Sequence, residues 1–160
     1  MLNARSESNA HRRLITVSPD GATGWSTPQF HPQLLEPICM GTMVRYSTRK
    51  HGGKDRLLFA NPDNLERAAG KAEPGKNRDR KNVTVKLSYD EGKTWPAGRS
   101  VEPGYSGYSD LAVFPDGTIL LLYERAAEGA KAFAPDSLTL ARFPLAWLTN
   151  GADRSSKGGR

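Results

Sequence analysis

Apolar residues along the chain fall in short runs, rich in β-branched and aromatic types and separated by Gly, Pro, Asp and Asn. Runs of that length between breaker residues predict strands. The pattern places them at residues 12–17, 42–46, 56–61, 83–88, 109–114, 118–123 and 138–143. Pro115-Asp116-Gly117 between two of these reads as a tight hairpin turn, with Gly117 free to take positive φ. No segment carries a sustained helical repeat; only 65–69 and 145–148 suggest a turn of helix. The long polar segment 62–80 interrupts the strand rhythm, and loops of such length within compact domains are often functional. An all-β chain is expected.

Composition narrows this reading. The 160 residues suffice for a hydrophobic core, and 37% hydrophobic against 25% charged residues favours a folded domain over disorder. The longest apolar run, 119–123, has the length of a strand and not of a membrane span. The first residues show no apolar segment behind their basic positions, so they do not read as a signal peptide, and the compartment stays open. Cys39 is the single cysteine, which excludes an intrachain disulfide and reads as a buried, inert thiol. The net charge of +6 suits an anionic partner, although much of it lies in polar stretches that water solvates. His11, His31 and His51 show no metal-ligand spacing, and no phosphate-binding glycine motif is present, so no cofactor is expected. Nucleic-acid binding is disfavoured because no aromatic–basic platform accompanies the charge.

One motif occurs twice. Ser88-Tyr89-Asp90-Glu91-Gly92-Lys93-Thr94-Trp95 follows a strand, as does Ser18-Pro19-Asp20-Gly21-Ala22-Thr23-Gly24-Trp25. In such a turn the Asp carboxylate accepts bonds from turn amides, Gly allows the reversal, and Trp packs back on the sheet. The motif resembles the Asp box, S-x-D-x-G-x-T-W, of sialidases and other β-propellers. The copy with Ser88, Asp90, Gly92, Thr94 and Trp95 matches at every defined position. The copy with Ser18, Asp20 and Trp25 has Ala22 where Gly is expected and Gly24 where Thr is expected, so a different turn is anticipated there. An Asp box marks a fold and not by itself an enzyme.

Further stretches are similar to sialidase sequence, in the family's order. They are Leu2-Asn3-Ala4-Arg5, Glu36-Pro37-Ile38-Cys39-Met40-Gly41-Thr42, Leu57 to Pro62 followed by the loop ending at Arg80, and Gly107-Tyr108-Ser109-Asp110-Leu111 leading to Leu121-Leu122-Tyr123-Glu124. The resemblance implies the C-terminal part of a six-bladed antiparallel propeller over 1–150, with 151–160 as a flexible basic tail. It places Arg5 and Arg80 at the second and third positions of the arginine triad that holds the substrate carboxylate. Tyr108 falls on the nucleophile, with Tyr105 as its near competitor, and Glu124 on a glutamate that positions the first triad arginine. That first arginine, the acid/base Asp and the Glu partner of the tyrosine are expected upstream of Met1. Met40 stands where many relatives carry Gln.

The chemistry explains the residue types. A planar, permanently charged guanidinium binds a carboxylate through paired charge-assisted hydrogen bonds. Several arginines around one point need an anion to join them. The carboxylate on the anomeric carbon of sialic acid repels a carboxylate nucleophile, and a neutral phenol avoids that repulsion. A phenol in turn needs a base to take its proton as the bond forms. The resemblance therefore implies an exo-α-sialidase acting with retention on sialylated glycans, here as a piece inactive alone. The rival expectation is a noncatalytic Asp-box propeller that binds acidic glycans or a protein partner. Neither assigns an oligomeric state.

Overall fold

The computed structural model describes residues 1–51, 53–68, 70, 73 and 76–154. Two antiparallel sheets account for nearly half of them. One is three-stranded, β1 (Leu2–Ala4), β2 (Arg12–Thr16) and β3 (Gln29–Leu35), side by side in chain order. The other is six-stranded and also runs in chain order. It comprises β4 (Thr42–Ser47), β5 (Arg56–Pro62), β6 (Lys81–Ser88), β7 (Ala97–Val113), β8 (Ile119–Ala126) and β9 (Pro135–Phe143). A 3-10 turn at Arg49–His51 lies between β4 and β5, and a single turn of helix, α1 (Leu145–Leu148), follows β9.

β7 serves two partners in succession. Its first half pairs with β6, from Leu87↔Ala97 to Lys81↔Tyr105. Its second half pairs with β8, from Ser106↔Arg125 to Val113↔Ile119. The strand therefore completes one four-stranded unit, β4–β7, and begins the next, β7–β9.

Alternation along the strands builds the core. Val83, Val85 and Leu87 of β6 point the same way, as do Ile119, Leu121 and Tyr123 of β8, and all are buried. Leu145 and Leu148 of α1 close this cluster with Phe143. β5 is buried along its whole length because both its faces are covered. Leu58 and Ala60 join the main cluster, while Leu57 and Phe59 join Leu34 and Trp95 in a second cluster that links the two sheets. The rings of Phe59 and Trp95 meet there at 5.8 Å between centroids.

The strands expected from alternation are present, and three further strand segments appear. β3 contains Pro32 and bonds only to β2, so the missing N–H of proline disrupts no second ladder. β1 is three residues long. The first half of β7 is polar and contains Gly98, Pro103 and Gly104, and its pairing with β6 shifts register twice. Residues 65–68 are not helical: Asn64 spans the loop instead, donating to the carbonyls of Glu66 and Asp79 at 3.1 and 3.0 Å.

At the C-terminal side, Asp153 is buried and grips Arg56 through Nη2–Oδ1 and Nε–Oδ2 bonds of 2.7 and 2.9 Å. Packed structure thus continues through 153, and residues 155–160 of the expected basic tail lie outside the described residues. No helix among the described residues is long and apolar enough to cross a membrane.

Candidate active site

Tyr108 lies where β7 changes partners. The β7–β8 register passes from Ser106↔Arg125 to Ser109↔Tyr123, which leaves Gly107 and Tyr108 together opposite Glu124. This is a β-bulge, a device that re-aims a side chain and frees a ladder amide. The Tyr108 amide donates to Glu124 Oε2 at 3.0 Å. Ser106 and Ser109 on either side are buried, while Tyr108 turns outward at 39% exposure. A Cβ at 107 would overlap Phe133 Cζ and lie 2.5 Å from Glu124 Oε2, so a larger residue would push both side chains aside.

Arg80 precedes β6 and is tied to the same place. The Ser106 amide donates to the Arg80 carbonyl at 3.0 Å, and the Val83 amide donates to Ser106 Oγ at 3.2 Å. The guanidinium then lies 5.1 Å from the Tyr108 ring centroid and 5.7 Å from that of Phe133. Its Nη2 donates to the Ile38 carbonyl at 3.2 Å. The neighbouring cations face elsewhere. Arg78 donates to the carbonyls of Glu73 and Lys76 in its own loop, and Lys81 pairs with Glu66 at 2.7 Å. Tyr105 likewise points away, its hydroxyl donating to the Lys131 carbonyl at 3.0 Å.

Arg5 follows β1 with its side chain 37% exposed, 3.7 Å from Glu7. Burial pushes the Cys39 thiol up to about 11, against the opposing pull of the nearby Arg80 and Arg5 charges, with Glu36 adding to the rise. Tyr108 is therefore in contact with both Arg80 and Glu124, whereas Arg5 is paired with Glu7. No cluster of three or more metal-ligand side chains is present among the described residues.

Both Asp boxes form closed networks. In the second, Ser88 Oγ donates to Asp90 Oδ1 at 2.8 Å and accepts from the Gly92 amide at 2.9 Å. Asp90 takes the Thr94 amide at 2.9 Å and the Thr94 hydroxyl at 2.7 Å. In the first, the same bonds go to Gly21 and Thr23, with Ser18 and Asp20 in the equivalent places. Gly21 (φ 80°) thus does the work of Gly92 (φ 79°) one position sooner, which accounts for Ala22 and Gly24 departing from the motif. The Thr23 amide, the Thr23 hydroxyl and the Ala22 amide hold the Asp20 carboxyl below its ordinary range. Trp95 is buried, but Trp25 is 38% exposed and donates its indole N–H to the Ala22 carbonyl at 3.1 Å.

Two charged residues next to the site are not legible as such in the sequence. Arg13 and Glu36 form a fully buried ion pair between β2 and the turn at 36–39. The available signal is that Arg13 shares a strand face with Ile15, which packs on the inter-sheet cluster.

A chain of antiparallel sheets joined through a shared strand, with Asp-box turns at their ends, is a β-propeller, and the comparisons with known proteins agree. The structure aligns with the Hadza microbial sialidase Hz136 at a TM-score of 0.65 and 28% identity, over 87% of this chain and 24% of that one. It aligns with the leech intramolecular trans-sialidase at a TM-score of 0.67, over 92% of this chain, where 22% identity speaks for the fold alone. In sequence the chain is 30% identical to the sialidase of Micromonospora viridifaciens over 92% of its own length, and 29% identical to that of Bacteroides fragilis over 78%. No protein-family profile matches. The chain is thus related to the sialidases along nearly all of its own length, with their all-β propeller fold. It spans about a fifth of the length of these curated relatives.

Proposed function

We propose that this chain supplies the nucleophile and part of the carboxylate site of an exo-α-sialidase that releases terminal sialic acid with retention. The observation that carries the reading is the Arg80 guanidinium over the Tyr108 ring, with Tyr108 presented by a bulge that Glu124 holds. Arg80 and Arg5 receive the carboxylate of the sugar, which brings the anomeric carbon towards Tyr108 Oη. The phenol oxygen forms a bond to that carbon as the bond to the leaving glycan oxygen breaks. The phenol proton passes to a carboxylate base, and the leaving oxygen takes a proton from a carboxylic acid. Water then attacks the anomeric carbon from the face the glycan vacated, giving its proton to the carboxylate that the acid has become. It displaces the tyrosine oxygen, which takes its proton back from the base.

The family resemblance assigns the base, the acid and a further arginine to sequence outside these residues. The 160-residue chain by itself is therefore expected to turn over a fluorogenic sialoside little or not at all. In a protein carrying the complete propeller, Tyr108→Phe is expected to lower kcat by about a thousandfold or more, since it removes the group that forms the covalent bond. Unchanged turnover in that variant would sink the assignment.

A further inference from the structure

The buried pair Arg13–Glu36 plays no part in the chemistry proposed above, yet it touches the strand that leads to Arg5 and the turn that bonds to Arg80. Arg13 is 2% exposed and Glu36 0%. Arg13 Nη1 donates to Glu36 Oε2 and to the Cys39 carbonyl, the latter at 3.0 Å. Its Nε donates to Asn3 Oδ1 at 2.7 Å, and its Nη2 to the Asn3 carbonyl at 3.0 Å. The second carboxylate oxygen, Glu36 Oε1, accepts the Cys39 amide at 2.7 Å. The Glu36 backbone is pinned as well: its amide donates to the His11 carbonyl at 3.0 Å, and its carbonyl meets His11 Nδ1 at 3.2 Å.

The bonds to Asn3 and Cys39 lead to the site. Asn3 sits in β1, two residues before Arg5. Glu36 and Arg13 together grip both the amide and the carbonyl of Cys39. They thereby hold the preceding residue, Ile38, at φ 68°, a left-handed conformation that is strained for a β-branched side chain. The Ile38 carbonyl so turned accepts the Nη2 donor of Arg80. A buried ion pair is no aid to stability over an apolar pair of the same volume, so the gain lies in directional bonds that apolar groups cannot make.

We infer that Arg13 and Glu36 are positioning residues which fix the spacing of Arg5 and Arg80, acting through Asn3 on the first and through Ile38 on the second. The purpose of that spacing, to receive one carboxylate, rests on the sialidase reading; the coupling itself does not.

The test is the 15N–1H spectrum of the arginine Nε–H groups in the full chain, with Glu36→Gln compared against Arg56→Lys. Arg56–Asp153 is an equally buried ion pair that contacts neither Arg5 nor Arg80 in its bonds. Glu36→Gln is expected to shift or broaden both the Arg5 and the Arg80 signals, and Arg56→Lys to leave both in place. An unmoved Arg5 or Arg80 in Glu36→Gln, or equal movement in Arg56→Lys, overturns the inference. Should Glu36→Gln fail to fold, Asn3→Ala serves: it removes one bond to Arg13, and the Arg5 signal must shift, an unmoved signal being the contrary result. Adding N-acetylneuraminic acid to the unaltered chain separates the two ideas. Signals that ignore the sugar count against the proposed function and leave the coupling between the arginines standing.

Discussion

Asp153 ties the fold to pH through one carboxylate. It is 6% exposed, and the Arg56 hydrogen bonds hold its carboxyl below the ordinary range in spite of burial. Asp90 is displaced the same way: burial opposes its charge, but the Thr94 amide and hydroxyl and the Ser88 hydroxyl outweigh it. A carboxyl whose folded pKa lies below its unfolded value binds fewer protons in the native state. Its stabilisation is complete above the unfolded value, about 4, and is lost as pH falls through the folded one. Urea midpoints followed by tryptophan fluorescence are therefore expected to hold steady from pH 7 to about 5 and to fall below about 4. Asp153→Asn is expected to cost about 3 kcal/mol at neutral pH, by leaving Arg56 without its charge partner, and to flatten the acid limb. An acid limb as steep as in the unaltered chain would assign the sensitivity to other carboxyls.

At the level of elements, the bulge at Gly107-Tyr108 is the local structure on which the site depends. Gly107→Ala places a methyl group into Phe133 and the Glu124 carboxylate. A loss of about 1–3 kcal/mol is expected from such overpacking, measurable as a lower urea midpoint, together with loss of the Tyr108–Glu124 bond seen as faster exchange of the Tyr108 amide. Wild-type stability and exchange in that variant would mean the bulge has room that the packing does not suggest. The same elements separate what alternation reveals from what it hides. β5, β6 and β8 are legible because each buries one alternate face or both, and β2, β4 and β9 because they are short runs of β-branched, aromatic and leucine residues between breakers. β1, β3 and the first half of β7 are not, because their pairing comes from neighbours while their own residues include Pro32, Pro103 and Gly104. Tyr108 and Arg80 stand out as residues within motifs. Their contact does not, since it depends on a one-residue register slip and on a Ser106–Arg80 backbone bond. Arg13 and Glu36 stay hidden for another reason: charge in a sequence reads as solvated, and only the fold shows these two paired and dry.

For the whole molecule, the sheet edges matter most. A propeller blade is ordinarily four-stranded. β4–β7 meets that count, whereas β1–β3 and the unit from the second half of β7 to β9 each have three strands. β9 is the outer strand of its sheet, and Leu138 and Leu140 on it are 71% and 60% exposed, beside Leu122 at 44%. An apolar outer strand with free backbone groups invites another chain. Size-exclusion chromatography is expected to show concentration-dependent association of this chain, and the double substitution Leu138→Lys, Leu140→Lys to shift it towards monomer at unchanged circular dichroism. A compact, protease-resistant monomer before any substitution would contradict this.

β7 has a different consequence. Because one unbroken backbone serves both β4–β7 and β7–β9, neither blade can loosen without disrupting the strand they share. The two blades are therefore expected to open as one cooperative unit, with Tyr108 on the strand they share. The sheet β1–β3 is joined to this unit by Leu34 against Phe59 and Trp95, by Asn61 Nδ2 donating to the Leu35 carbonyl at 2.7 Å and by the Trp95 amide donating to Gln33 Oε1 at 3.0 Å. Arg5 stands beside the first sheet and Arg80 beside the second, so the proposed carboxylate site spans the junction between the two sheets.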